Sequence, residues 1–165
     1  MSLDSISILK QYWGHDGFRP LQEEIIQSVL EKRDTLALLP TGGGKSICFQ
    51  IPAMMLPGIC IVVTPLIALM KDQVQHLKDI GIQAVAIYSG LKPREVDIIL
   101  DNCIFGQIKF LYLSPERLYS ELVQERIKHM PVNLFAIDEA HCISQWGYDF
   151  RPPYLQLGKL KELHP

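Results

Sequence analysis

Along the chain, short apolar runs alternate with longer stretches whose apolar residues recur every three or four positions. "DTLALL" (34–39), "ICIVV" (59–63), "AVAIY" (84–88), "IKFLYL" (108–113) and "NLFAI" (133–137) read as buried strands. Helix-length segments separate them, and two carry start signals. Thr64-Pro65 and Ser114-Pro115 each offer an N-cap followed by proline at the first helical position. After Pro65, Leu66, Leu69, Met70, Val74, Leu77 and Ile80 fall at helical spacing, and Gly81 supplies a stop. This alternation predicts an α/β fold: a three-layer arrangement of a mostly parallel sheet with helices on both faces. In such sheets, ligands bind at the carboxyl ends of the strands. The chain has no internal repeat, linker or low-complexity segment.

Composition narrows the class. A chain of 165 residues is most simply one domain, and 48% hydrophobic with 21% charged residues is ordinary for a globular fold. A formal net charge of −2 argues against a surface that is basic all over, so any nucleic acid would be met through local loops and helix ends. Cys48, Cys60, Cys103 and Cys142 form no C-x-x-C pair and read as buried reduced thiols. The amino terminus lacks the apolar core of a signal peptide. The longest apolar run, "ICIVVTPLIALM" (59–70), is too short to span a bilayer. The expectation is a cytoplasmic protein with no membrane contact, nucleoid-associated if bacterial.

The candidate chemistry begins at "LPTGGGKS" (39–46), which follows the first strand and precedes the helical segment "ICFQIPAMM". It approaches the phosphate-loop pattern G-x-x-x-x-G-K-[ST], with Leu39 where the first glycine would stand. Thr41, Gly42, Gly43 and Gly44 let backbone N–H groups approach phosphate oxygens, and the helix start adds partial positive charge. Lys45 can reach the β- and γ-phosphates of ATP, and the Ser46 hydroxyl can ligate Mg²⁺. A second acidic motif, Asp138-Glu139-Ala140-His141, closes the last strand. Taken alone it is either a solvated turn or a catalytic pair. Beside a phosphate loop, Asp138 suits the metal and Glu139 suits the base that activates water.

Five blocks in order resemble the RecQ DNA helicases of superfamily 2: "GFRPLQEEII" (17–26), "LPTGGGKS", "VVTPLIALMKDQV" (62–74), "LYLSPERL" (111–118), and "DEAH" followed by "CISQWGYDFRPPY" (142–154). The last block is the most specific, because other DEAD- and DEAH-type helicases lack it. The resemblance implies a RecA-like P-loop NTPase lobe, with residues 1–165 as the first lobe and a second lobe and later domains beyond Pro165. It implies an ATP-dependent helicase that unwinds DNA 3′→5′ in repair and recombination, acting on single strands and duplex junctions. Under it, Gln22 reads the N6 and N7 edge of adenine and Arg19 frames the base. His15 either lies over the adenine or is an exposed loop residue, and Trp13 reads as core. Pro65, Lys71 and Gln73 could meet a DNA phosphate, although Lys71 equally suits a solvated surface.

The aromatic-rich block gathers Trp146, Tyr148, Phe150 and Tyr154 with Gln145 and Arg151, either as stacking surfaces for unpaired bases or as core. With His141 it would bind DNA or couple binding to the ATP site. There are three departures from the family pattern: Leu21 where glycine is common, Leu39 at the loop entry, and Tyr148 in place of a common histidine. Leu21 raises the expectation of a different local backbone. Two rival readings are a DEAD/DEAH-type RNA helicase lobe and a nucleotide-binding module inactive on its own.

Overall fold

A computed structural model describes residues 4–33, 35 and 44–138. The chain divides into two compact units, Met1–Pro57 and Gly58–Pro165.

In the first unit, α1 (Ser5–Ile8) starts at Asp4, whose carboxylate accepts the Ser7 N–H at 2.7 Å. It runs on into a π-helical turn, Leu9–Trp13, which ends at Gly14. Helices α2 (Gln22–Leu30) and α3 (Lys45–Met55) follow. Ile8, Leu9, Ile26 and Ile51 are buried together, with Tyr12, Trp13, Phe18 and Ile47 packed against them. Trp13 is therefore part of the core, as its sequence context suggests. The expected strand at 34–39 lies outside the described residues apart from Thr35.

The second unit is a four-stranded sheet in the order β2-β3-β1-β4. The strands are β1 (Ile59–Val63), β2 (Ala84–Ile87), β3 (Phe110–Leu113) and β4 (Val132–Ile137). Every pairing is parallel. The connections carry α4 (Ile67–Asp79), α5 (Pro93–Phe105), α6 (Pro115–Leu118) and α7 (Glu121–Ile127). Ile59, Ile61, Val63, Leu111 and Leu113 pack on Val96, Leu100, Leu118, Val123 and Ile127 of α5, α6 and α7. Strand alternation turns Cys60, Val62, Phe110 and Tyr112 to the other face, and they are equally buried. All five residues of β1 are buried, as a central parallel strand covered on both faces requires.

Four boundaries differ from the sequence expectation: β2 ends one residue early, at Ile87, and the other three go with identifiable contacts. Thr64 does not cap α4. Its N–H donates to Leu113 O at 3.0 Å, so it prolongs the ladder, and Leu66 becomes the extended N-cap residue. Strand β3 starts at Phe110, where its pairing with Ala84 begins; the Lys109 and Phe110 N–H groups share Gln83 O at 2.9 and 3.3 Å, and the Lys109 ammonium donates to Gly58 O at 2.9 Å. Strand β4 starts one residue early, at Val132, with a bulge. Ile59 pairs with Val132 and Cys60 with Leu134, which leaves Asn133 as the extra residue. Gly58 makes that entry possible. Its φ is +101°, and a Cβ there would sit 2.1 Å from the Pro131 carbonyl oxygen. The Ser114-Pro115 signal is met: Ser114 Oγ accepts the Arg117 N–H at 3.3 Å.

Candidate functional site

The first unit builds an anion-ready helix start. Gly44 is the N-cap residue of α3, in the left-handed region at φ +75° and ψ +41°. Lys45 is the first helical residue and exposed, and Ser46 is half-buried behind it. The first turn of α3 contains no acidic residue. Unpaired N–H groups at a helix start, a lysine, a hydroxyl and no carboxylate suit a phosphate and a hard cation bound with it.

Gln22 is bound to this loop. It is only 2% exposed. Its Oε1 accepts the Arg19 N–H at 2.7 Å, and its Nε2 donates to Gly44 O at 3.1 Å. A donor faces one end of the amide and an acceptor the other, so the side chain has one self-consistent orientation. A Cβ on residue 44 would lie 2.4 Å from Gln22 Nε2, which makes glycine there a condition of the contact as well as of the turn.

The segment ahead of α2 presents this amide through a tight reversal. Gln22 N donates to Arg19 O at 3.2 Å across Pro20 and Leu21, and Leu21 has φ +70° and ψ −14°. Proline second and a left-handed residue third is the pattern of a type II turn, where glycine is normally demanded. The backbone thus keeps a glycine-like conformation with a leucine in it. The expectation of a different local backbone is not met. The Leu21 side chain points to solvent, 54% exposed. Arg19 and His15 are exposed on the same unit.

In the second unit, Asp138 is half-buried at the carboxyl end of β4, with its N–H donating to Val63 O at 2.8 Å. That bond holds the carboxylate-bearing residue at the end of the central strand. The end of β1 is followed by Thr64, whose hydroxyl is buried without a hydrogen-bond partner among the described residues, and by Pro65, also buried. Gln73 Oε1 is likewise buried without a partner there. Lys71 is exposed.

Thr41, Gly42, Gly43, Glu139, His141, Gln145, Trp146, Tyr148, Phe150 and Arg151 lie outside the described residues. Cys48, Cys60 and Cys103 are free and buried, and burial pushes the Cys48 thiol up to about 11 and the Cys103 thiol up to about 12. All three are thiols of the core. Tyr88, expected as the last residue of its strand, stands one residue past β2, at the carboxyl end of the sheet.

Comparison with known proteins gives a consistent result. The family model for DEAD/DEAH box helicases matches residues 19–164. Over 155 residues the chain is 50% identical to the probable ATP-dependent DNA helicase RecS of Bacillus subtilis, covering 93% of this chain and 31% of that protein. It is 45% identical over 161 residues to the ATP-dependent DNA helicase RecQ of Haemophilus influenzae, covering 98% of this chain and 26% of that protein. The chain thus spans less than a third of the length of either relative. A crystal structure of the DUF1998 helicase MrfA bound to DNA and AMPPNP superposes with a TM-score of 0.68 over 85% of this chain and 21% of its own, at 20% identity. That likeness speaks for the fold.

Proposed function

Since the chain belongs to the DEAD/DEAH box helicase family, we propose that it is the ATP-binding first lobe of a RecQ-type DNA helicase. The whole protein would couple ATP hydrolysis to 3′→5′ unwinding of DNA in repair and recombination, with a second lobe completing the motor. The observation that carries the nucleotide half of this reading is the head of α3. There a left-handed Gly44, Lys45 and Ser46 form an acid-free helix start joined to Gln22. The choice of DNA over RNA rests on the similarity to relatives named as ATP-dependent DNA helicases, at 45% and 50% identity.

Each residue then has a role that its chemistry permits. Backbone N–H groups from the glycine loop and the α3 start hold the phosphates, and Lys45 neutralises the β- and γ-phosphate charge. Ser46 would hold Mg²⁺, and Asp138 offers a carboxylate suited to a metal through its water shell. Bound Mg²⁺ supplies charge neutralisation on the transferring phosphoryl group. Glu139 accepts the proton of the attacking water. Gln22 and Arg19 meet the adenine, with His15 beside them. The aromatic block, Trp146, Tyr148 and Phe150 with Gln145, Arg151 and His141, meets single-stranded DNA and reports it to the ATP site. A cytoplasmic location, on the nucleoid in a bacterium, accords with this role.

The test is calorimetric titration of the chain with ATP and with GTP, each with Mg²⁺. Binding that favours ATP in the parent and loses that preference in Gln22→Ala supports the reading. Equal affinity for both nucleotides in the parent would remove the adenine assignment. No binding of either would remove the nucleotide lobe.

A further inference from the structure

Lys71 and Tyr88 meet at the carboxyl end of the second unit's sheet. Lys71 lies on the second turn of α4, and Tyr88 follows β2 directly. The Lys71 ammonium stands 4.6 Å from the centroid of the Tyr88 ring, within the range where a ring face attracts a cation. Among the described residues no carboxylate pairs with Lys71. An exposed lysine without an acidic partner ordinarily stays solvated and samples many rotamers. Here an aromatic face holds it.

The backbone turn that carries the ring is itself held. Arg117 Nε donates to the Tyr88 carbonyl at 3.2 Å, and its Nη2 donates to the Leu91 carbonyl at 3.3 Å. One guanidinium therefore ties both ends of the turn from Tyr88 to Leu91. Arg117 is fixed in turn through its own N–H on Ser114 Oγ, while the Ser114 N–H reaches Ile87 O at 3.3 Å. The α4 helix, the β2 turn and the α6 helix thus form one connected support under a single ammonium group.

We propose that Tyr88 is a positioning residue that holds Lys71 ready for a phosphodiester oxygen of single-stranded nucleic acid, with Arg117 fixing the turn that carries the ring. The proposal rests on the DNA-lobe reading above and deepens it. A cation seated on a ring face still has N–H donors directed away from the ring, so a phosphate approaches without displacing the tyrosine. The seat removes rotamer freedom before the strand arrives, and lowering that ordering cost raises affinity. A cation–π contact at an exposed site corresponds to about a two- to fivefold change in binding.

The experiment is fluorescence anisotropy of a labelled oligothymidylate at low salt with the parent chain, Lys71→Ala, Tyr88→Leu, the double variant and Tyr88→Phe. Lys71→Ala should weaken binding. Tyr88→Leu should weaken it about two- to fivefold in the parent and not at all in the Lys71→Ala background, since the two then act as one unit. Tyr88→Phe keeps the ring and should bind as the parent does. Arg117→Lys removes the fork and supplies an independent variant should Tyr88→Leu fold poorly; it too should weaken binding only where Lys71 is present. Equal losses in both backgrounds would overturn the proposal, because the ring would then touch the strand itself. A Tyr88→Phe variant as weak as Tyr88→Leu would overturn it also. An unaffected Lys71→Ala, with the parent binding well, would overturn it while leaving the DNA reading intact. A parent that binds no oligothymidylate overturns both.

Discussion

The Gln22 side chain bridges two backbone segments, accepting from Arg19 N–H and donating to Gly44 O from opposite ends of one amide. The segment expected to read adenine and the turn expected to hold phosphate are therefore joined by a single side chain. This linkage explains why Gln22 is buried, although polar residues near a ligand site are usually accessible.

Replacing Gln22 by glutamate keeps the shape and reverses one interaction, since a carboxylate oxygen then faces the Gly44 carbonyl. Gln22→Glu should lose about 2–3 kcal/mol of unfolding free energy at neutral pH, more than Gln22→Ala, which leaves no buried charge. Burial and the facing carbonyl raise the pKa of that new carboxyl, and its protonated form can donate to Gly44 O. The deficit should therefore shrink as pH falls from about 7.5 to about 5. Urea unfolding of both variants at the two pH values checks the order and the sign.

Leu21 occupies the left-handed position of its turn at φ +70° with its side chain in solvent. Left-handed strain in a non-glycine residue costs about 1–2 kcal/mol, and glycine's extra unfolded-state freedom returns about 0.5–1 kcal/mol of that. Leu21→Gly should accordingly be stabilising, raising Tm by about 1–4 °C for a chain of this size. Thermal melting of the two proteins reads this directly. A lower Tm would mean that the leucine side chain contributes packing that outweighs the strain.

Lys45 is exposed at the first position of α3, so its removal should not disturb folding. A charge-assisted contact to phosphate corresponds to about 1.5–3 kcal/mol, hence about a 10- to 100-fold loss in ATP affinity for Lys45→Ala. Calorimetry with ATP and Mg²⁺, alongside an unchanged melting curve, is the measurement.

Gly58 opens β1 at φ +101°, with the Pro131 carbonyl 2.1 Å from where a Cβ would stand. Alanine there must move backbone at the start of the central strand. Gly58→Ala should cost about 2–4 kcal/mol, seen as a fall in the urea midpoint with an unchanged slope.

The strand–helix alternation was legible because parallel strands buried on both faces write continuous apolar runs, as in "ICIVV" and its neighbours. Ser114 was legible as a cap because its hydroxyl acts locally. Thr64 carries the same two-residue signal but does not cap a helix, since whether its backbone joins Leu113 or starts a helix depends on a strand about fifty residues away. The residue types at the site were legible from glycine, lysine and serine in series. The connections among them were not. Nothing local in the sequence announces that the Gln22 amide ends on Gly44, that Lys71 rests on Tyr88, or that Arg117 spans Tyr88 and Leu91.

Position 21 also bears on how such chains are detected. A pattern written in letters, with glycine demanded after proline, rejects this segment. A pattern written in torsion angles accepts it, because Leu21 turns the chain as glycine would. What the turn requires is a sign of φ, and glycine is merely its least costly spelling. Searches that score this position by residue identity will therefore pass over chains whose turn is intact, and the ones passed over will be those with strain to lose.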